Sequence, residues 1–457
     1  MAQESFDCIV IGSGPGGYVA AVRASQLGMK TAVVERKHIG GRCLNVACIP
    51  AKAVLRSADL LTEVRKAGDY GIVVDAPSVD FPAIADHRGK VIKTLTGGVG
   101  MLLKKNDVEV IDGEATLTGG LGVKVGDRQL EATKAVILAT GSVGLPIPGV
   151  EFGGRIIGTE EAWAMDEMPA SMAVVGAGAS GCEIASAYAR FGTDVKLYEV
   201  ADRVLPTEDP DVSRLVERAF KKQGIEIVTG AQLADVASGK DSVTWSSGGE
   251  KQEADWMVIS AGRGPDEEGL GLAAAGVELG DDGRVKVDGQ MRTSAPGIFA
   301  IGDIVPGPSL AHKASEEGII AAEAAAGQEP HPLDYQDIPR ATFCDPNVGS
   351  FGLTEAQAKE AGYDVAVGKV PFGAVGAGAV YGEKAGMVKL VGDRKYGELL
   401  GASIVGYRAT DLIQELVNAK LLEGGYPEVA RMIHGHPTLS EAVMEAARAA
   451  DGWLIHG

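Results

Sequence analysis

Apolar residues in this chain come as short uninterrupted runs, separated by stretches with helical spacing. That alternation predicts buried parallel strands joined by helices. Phe6-Asp7-Cys8-Ile9-Val10-Ile11 opens the pattern, followed by a helical stretch from Tyr18 to Leu27 and a run Thr31-Ala32-Val33-Val34 ending on Glu35. Ala53 to Lys66 has the apolar spacing of a helix, and Val136 to Ser142 reads as a buried strand ending in small residues. Pro146 and Pro148 then mark a linker, which puts a domain boundary near 150. Beyond it the opening recurs as Ala173-Val174-Val175, a helix through Ala189, a strand Val195-Lys196-Leu197-Tyr198, and Glu199. Trp256 to Arg263 and Gly297 to Asp303 are further strand-like runs, and Leu310 to Ala326 is an Ala- and Glu-rich helix. From about 341 the composition changes to strands at Met387 to Leu390 and Leu400 to Val405, with two helices.

The turns that follow the two opening strands carry the first chemistry. Gly12-Ser13-Gly14-Pro15-Gly16-Gly17 stands between strand and helix, and Glu35 ends the next strand. Strand, Gly-rich turn, helix, strand and acid together form the context in which a GxGxxG pattern binds a dinucleotide. Gly12 permits the tight turn, Gly14 lets the backbone approach a pyrophosphate, and Gly17 allows close helix packing. Glu35 is placed to accept from a ribose. Gly176-Ala177-Gly178-Ala179-Ser180-Gly181 and Glu199 repeat every one of these positions at a constant offset. Two units with the same internal spacing predict two bound dinucleotides.

Directly after the first unit comes Gly40-Gly41-Arg42-Cys43-Leu44-Asn45-Val46-Ala47-Cys48-Ile49-Pro50-Ala51-Lys52. Residues five apart on a regular helix are separated by roughly 7.5 Å of rise, beyond the reach of a disulfide. If Cys43 and Cys48 pair, the backbone between them is distorted, and Gly40-Gly41 supply unusual dihedrals. A helix start beyond Cys48 would stabilise a thiolate. The plainer alternatives are two unrelated buried cysteines or half of a metal site, although no second cysteine pair completes four ligands. A dithiol passes electrons to a nicotinamide through an intervening flavin. FAD therefore belongs to the first unit, which runs on into the cysteines, and the nicotinamide to the second. Glu199 favours NAD, because a carboxylate accepts from a 2′-hydroxyl and repels a 2′-phosphate. Arg203 lies near enough in sequence to reach a phosphate, but reads as a loop cation.

Near the end stands His434-Gly435-His436-Pro437-Thr438-Leu439-Ser440-Glu441. Thr438 and Glu441 fit a capping box opening the last helix. A second reading makes Glu441 the orienter of His436, the base that thiol–disulfide exchange requires near neutral pH. Asp303, at a strand's carboxyl end, is either a turn residue or an acceptor for a ribityl hydroxyl.

Bulk numbers narrow the class. The 457 residues suffice for about three domains, and 62 acidic against 43 basic residues leave a net charge of −19. Such a charge argues against nucleic acid and anionic membranes as partners. No apolar run approaches the length of a membrane span. Five cysteines do not make a secreted disulfide framework. With no leader signal before Phe6, the expectation is a cytoplasmic protein.

Taken together, the 40–52 segment, Gly-Ile-Phe-Ala-Ile-Gly-Asp at 297–303, Leu-Ala-His-Lys-Ala at 310–314 and His-Pro-Thr-Leu-Ser-Glu at 436–441 make the chain resemble the two-cysteine pyridine nucleotide–disulfide oxidoreductases over essentially its whole length. Within that family it is similar to the members that oxidise dihydrolipoyl groups with NAD. The resemblance implies an α/β fold of two Rossmann-like dinucleotide-binding domains plus an α+β carboxyl-terminal dimerisation domain. The expected boundaries are 1–149 and 273–340 for FAD, 150–272 for NAD and 341–457 for the dimer interface. It implies a Cys43–Cys48 redox disulfide, with Cys43 attacking substrate and Cys48 facing the flavin. His436, oriented by Glu441, would be the base contributed by the other subunit of a homodimer. Lys52, Thr140, Gly141, Ser142, Asp303 and the backbone at Ala311 would bind FAD, and Glu183 and Gly262 would lie near NAD. No metal is implied. The implied partner is a lipoyl-bearing acyltransferase or carrier protein of a 2-oxo acid dehydrogenase or glycine cleavage complex. The alternative within the family is an NADPH-dependent reductase of glutathione-like disulfides. Arg42, Ala47, Ala51 and Ser180 depart from the usual pattern, and none removes a reacting group.

Overall fold

The computed structural model describes residues 4–457. They form two compact units. The first comprises 4–53, Pro82–Leu145 and Gly262–Tyr335, and the second Val54–Phe81, Pro146–Ala261 and Gln336–Gly457.

In the first unit the strands Glu109–Asp112, Thr31–Glu35, Glu4–Ile11 and Arg128–Leu138 lie side by side in that order, all parallel. Ile298–Ala300 pairs parallel with Arg128–Leu138, and the antiparallel strands Gly122–Val125 and Ala115–Gly119 extend the sheet. Both faces are covered, which is why Ile9-Val10-Ile11 and Ala32-Val33-Val34 are buried without alternation. The helices Pro15–Gln26 and Ala311–Ala325 pack closely through glycine. A Cβ on Gly318 would stand 2.5 Å from the Gly16 carbonyl oxygen. The run expected from Val136 to Ser142 is broken. The strand ends at Leu138, Gly141 turns at φ +83°, and Ser142–Gly144 pairs separately and antiparallel with Arg263–Pro265.

The second unit repeats the parallel arrangement. Its strands run in the order Glu226–Val228, Asp194–Tyr198, Ser171–Val175, Trp256–Ile259, Ile156–Gly158. A meander, Leu233–Ser238, Val243–Ser247 and Glu250–Ala254, packs Trp245 edge-on against Tyr198. The remainder is an antiparallel sheet, Arg340–Thr342, Val348–Gly352, Leu399–Val405, Met387–Asp393, Val365–Pro371. Helices Ala409–Leu421 and Ser440–Ala450 pack against it. Gly368 is forced by that packing, since a Cβ there would lie 1.7 Å from the Ala446 carbonyl oxygen. No helix among the described residues is long and apolar enough to cross a membrane.

Candidate active site

The two Gly-rich turns are built alike. Gly12 and Gly176 both have φ +101°. A Cβ on Gly12 would meet the Ala139 oxygen at 2.4 Å, and one on Gly176 the Ser260 oxygen at 2.5 Å. Gly17 and Gly181 let each helix approach its own turn, their Cβ positions falling 1.9 Å and 1.8 Å from the Gly12 and Gly176 oxygens. Gly14 and Gly178 differ from these, for nothing lies within 4 Å of a Cβ at either. Protein packing does not require glycine there. An approaching pyrophosphate does, at a helix amino terminus whose free amides favour anions. Both turns therefore fit a dinucleotide.

The acid of each unit folds its own turn. Glu35 accepts from the Ser13 amide at 2.9 Å and the Ser13 hydroxyl at 2.6 Å, and its second oxygen accepts from the Lys37 amide at 2.8 Å. Glu199 accepts from the Ala177 and Ala201 amides at 2.7 and 2.9 Å. Arg203 donates to the Pro206 carbonyl and pairs with Asp202, as a loop cation does. Glu183 is buried and accepts from the Phe343 amide at 2.9 Å. Gly262, at φ +148°, accepts from the Leu145 amide.

After Glu35 the chain turns through Gly40 and Gly41, at φ +89° and +60°. Gly41 lies so near the first turn that a Cβ would stand 2.5 Å from the Gly14 Cα. Helix Gly41–Asn45 carries Cys43 and helix Cys48–Arg65 begins at Cys48. Between them the helix is interrupted at Val46, at φ −136°, where the Arg42 carbonyl accepts both the Val46 and the Ala47 amides. That interruption shortens the rise between the cysteines. Both cysteines are half-buried. A hydrogen bond from Cys43 holds the Cys48 sulfur down to about 7 against the penalty of burial, with Lys52 and Arg42 adding attraction for a thiolate. The same hydrogen bond, with burial and the charge of Cys48, raises Cys43. Lys52 and Arg42 therefore favour a thiolate in this pair. Ala47 and Ala51 are buried, so their small side chains suit the sites they occupy, and Ser180 is exposed.

At the carboxyl end of the same sheet, Ser142 donates to Asp303 Oδ2 at 2.5 Å and receives Arg263 Nε at 2.8 Å. Thr140 donates to the Asp266 carbonyl at 2.6 Å, and Gly141 accepts from the Asp266 amide. Ala311 begins its helix, and the residue before it, Leu310, supplies no side-chain cap. Arg263 and Asp266 were not legible as site residues because their partners lie 121 and 126 residues away, and Ser13 because the spacing of the Gly-rich turn does not show that its hydroxyl reaches Glu35.

In the second unit His436 is exposed and its Nδ1 lies 2.9 Å from Glu441 Oε1. The expected capping box forms only in part. The helix starts at Ser440, so Thr438 stands ahead of it and its hydroxyl donates to the Gly435 carbonyl instead. Glu441 still accepts from the Thr438 amide through Oε2. One carboxylate thus folds the turn and holds the imidazole. Burial alone would raise Glu441, but the Thr438 amide and His436 hold it below the usual carboxylate range. His434, absent from the sequence reading as a site residue, pairs with Glu415 at 2.5 Å. Among the described residues no cluster of ligating side chains could hold a metal ion.

The family model described as pyridine nucleotide-disulphide oxidoreductase matches residues 6–318, and that family's dimerisation domain matches 338–447. Curated relatives include a dihydrolipoyl dehydrogenase of Bacillus subtilis, 44% identical over 98% of this chain and 97% of the relative. Another, from Geobacillus stearothermophilus and named the same, is 42% identical at the same coverage. Among solved structures, LpdA of Mycobacterium tuberculosis is 28% identical, with a TM-score of 0.89 and coverage of 96% and 99%. A HOCl-induced flavoprotein disulfide reductase of Escherichia coli, solved as its Cu(II) complex, gives a TM-score of 0.88 at 25% identity, covering 98% and 99%.

Proposed function

The chain belongs to the pyridine nucleotide-disulphide oxidoreductases, and on that premise we propose that it oxidises dihydrolipoyl groups to the cyclic disulfide with NAD as acceptor. The observation that carries this reading is the Cys43/Cys48 pair. Two cysteines sit at a helix interruption beside a dinucleotide turn, with Lys52 and Arg42 attracting a thiolate there. The relatives named dihydrolipoyl dehydrogenase, at 44% and 42% identity over nearly their whole length, support the substrate class.

FAD would be held by Gly12, Gly14, Gly17, Glu35, Lys52, Thr140, Gly141, Ser142, Asp303 and the Ala311 backbone. Bound there, it supplies the two-electron carrier between the dithiol and NAD. NAD would occupy the second turn, through Gly176, Gly178, Gly181, Glu183, Glu199 and Gly262. In the oxidised protein a substrate thiol, deprotonated by His436 of a homodimer partner, would attack Cys43. The Cys43–Cys48 bond breaks and Cys48 leaves as a thiolate, which its surroundings favour, since leaving-group stability speeds exchange. The second substrate thiol attacks the substrate sulfur of the mixed disulfide and releases Cys43. Substrate has then lost two electrons and two protons. The electrons reside on the dithiol, one proton on the base and one on Cys43. Glu441 holds the ring through Nδ1, leaving Nε2 to take the proton. Functional boundaries near 150, 273 and 341, a lipoyl-bearing carrier protein as physiological partner, and a cytoplasmic setting complete the proposal.

The test is a steady-state comparison of the FAD-loaded protein. NAD reduction by dihydrolipoamide should exceed NADPH oxidation by glutathione disulfide by at least about two orders of magnitude in kcat/KM, the discrimination a dedicated site gives. The reverse ranking would make the protein a glutathione-type reductase.

A further inference from the structure

Asp303 is held by more than Ser142. It follows Gly302, which ends the Ile298–Ala300 strand region at φ +79°. Both polar groups of Gly302 are taken by side chains from one helix. Its amide donates to Glu317 Oε2 at 2.8 Å, and its carbonyl accepts from Lys313 Nζ at 2.8 Å, nearer than its other donor, the Val305 amide at 3.3 Å. Lys313 and Glu317 pair with each other at 3.0 Å, one helical turn apart, and both side chains are 0% exposed. The Tyr335 hydroxyl donates to Glu317 Oε1, and the Lys313 ammonium lies 5.5 Å from that ring's centre.

Such a pair is a poor way to gain stability. Removing two charges from water carries a large desolvation cost, and an apolar pair of similar volume commonly does as well or better. Every other buried residue of the Ala311–Ala325 helix is Ala, Gly or Ile, so an apolar pair would suit the surroundings. What an apolar pair could not do is grip the N–H and the C=O of one peptide at once. Burial pushes Glu317 up and Lys313 down, while their mutual attraction opposes both shifts.

We infer that Lys313, Glu317 and Tyr335 are positioning residues that fix the Gly302 peptide and so aim the Asp303 carboxylate at FAD. The inference rests on the reading of Asp303 as an FAD contact. Ser142 fixes the carboxylate from the side-chain end, and the buried pair fixes it from the backbone.

The test uses the FAD-loaded protein with three variants, Asp303→Asn, Glu317→Gln and the double apolar change Lys313→Met with Glu317→Leu. Flavin release is followed by the rise in its fluorescence on dilution, and exchange of the Gly302 amide by hydrogen–deuterium exchange. Glu317→Gln breaks the pair, and the double variant serves if it does not fold. The double variant should keep the melting temperature within a few degrees, release FAD at least about tenfold faster and expose the Gly302 amide to exchange. Tenfold is the scale of a lost charge-assisted hydrogen bond. If Asp303→Asn speeds release and the double variant changes neither release nor exchange, the inference falls alone. If Asp303→Asn leaves release unchanged, the Asp303 reading falls and takes the inference with it.

Discussion

The two Gly-rich turns share the same φ of +101° at the first glycine and the same empty space beside the middle one, yet their surroundings differ. In the first, Ser13 gives Glu35 a hydroxyl as well as an amide and also receives the Gly40 amide at 3.2 Å. It thereby ties the turn to the segment that carries Cys43. In the second, Ala177 offers Glu199 an amide alone, and the chain beyond runs into a loop closed by Arg203 and Pro206. One nucleotide fold thus serves two purposes. The first turn is joined to a reactive pair through Ser13 and the Gly41–Gly14 approach, while the second is joined, through the Ala177 carbonyl and the Leu205 amide at 2.8 Å, to a loop that carries no such pair.

Five changes would break or sharpen that contrast. Cys43→Ser should lower dihydrolipoamide oxidation by at least about three orders of magnitude, the scale of losing a nucleophile, while flavin content and flavin reduction by NADH persist. Retained lipoyl activity would remove Cys43 from its role. Gly176→Ala is the complementary change. It puts a Cβ 2.5 Å from the Ser260 oxygen, so NAD should bind at least about tenfold more weakly. Stopped-flow reduction of the flavin by dihydrolipoamide should be unaffected, and slowed reduction would show that the second turn is not dedicated to NAD.

A smaller effect concerns pH. In the two-electron-reduced protein the long-wavelength absorbance of a Cys48 thiolate beside the flavin grows as pH rises, because the thiolate exists above its pKa. Its midpoint should fall below that of an ordinary thiol, in keeping with the pull of Cys43, Lys52 and Arg42 on the thiolate. Lys52→Met removes an attraction for the thiolate and should move the midpoint upward by about one unit. A midpoint that stays put or moves down would contradict the electrostatic account. The smallest expected change is Ser13→Ala, which makes the first turn resemble the second. FAD release should quicken only about two- to fivefold, the worth of one neutral hydrogen bond. Ala177→Ser should leave NAD affinity within about twofold.

The legible part of this protein was the part whose physical requirement is local. A glycine needed for a positive φ, an acid one strand later and two cysteines next to a turn all announce themselves at fixed spacing. The parts that stayed hidden depend on partners far along the chain. Val136 to Ser142 reads as one apolar strand, but Gly12 presses against Ala139 and the backbone must turn at Gly141 to reach Arg263. Lys313 and Glu317, one turn apart on an Ala-rich helix, look like a solvated pair until Gly302 and Tyr335 cover them. Thr438 and Glu441 fit a capping box by spacing, yet the helix starts at Ser440 and the Gly435 carbonyl takes the threonine hydroxyl.

The central claim is that electrons enter through Cys43 and Cys48 and leave to NAD. Anaerobic titration of the flavin-bearing protein with dihydrolipoamide, and separately with NADH and NADPH, tests it most directly. Dihydrolipoamide should raise the long-wavelength thiolate band, and NADH should reduce the flavin in preference to NADPH, in keeping with Glu199. If dihydrolipoamide leaves the flavin oxidised while NADPH reduces it, the substrate and the role of Glu199 are both contradicted.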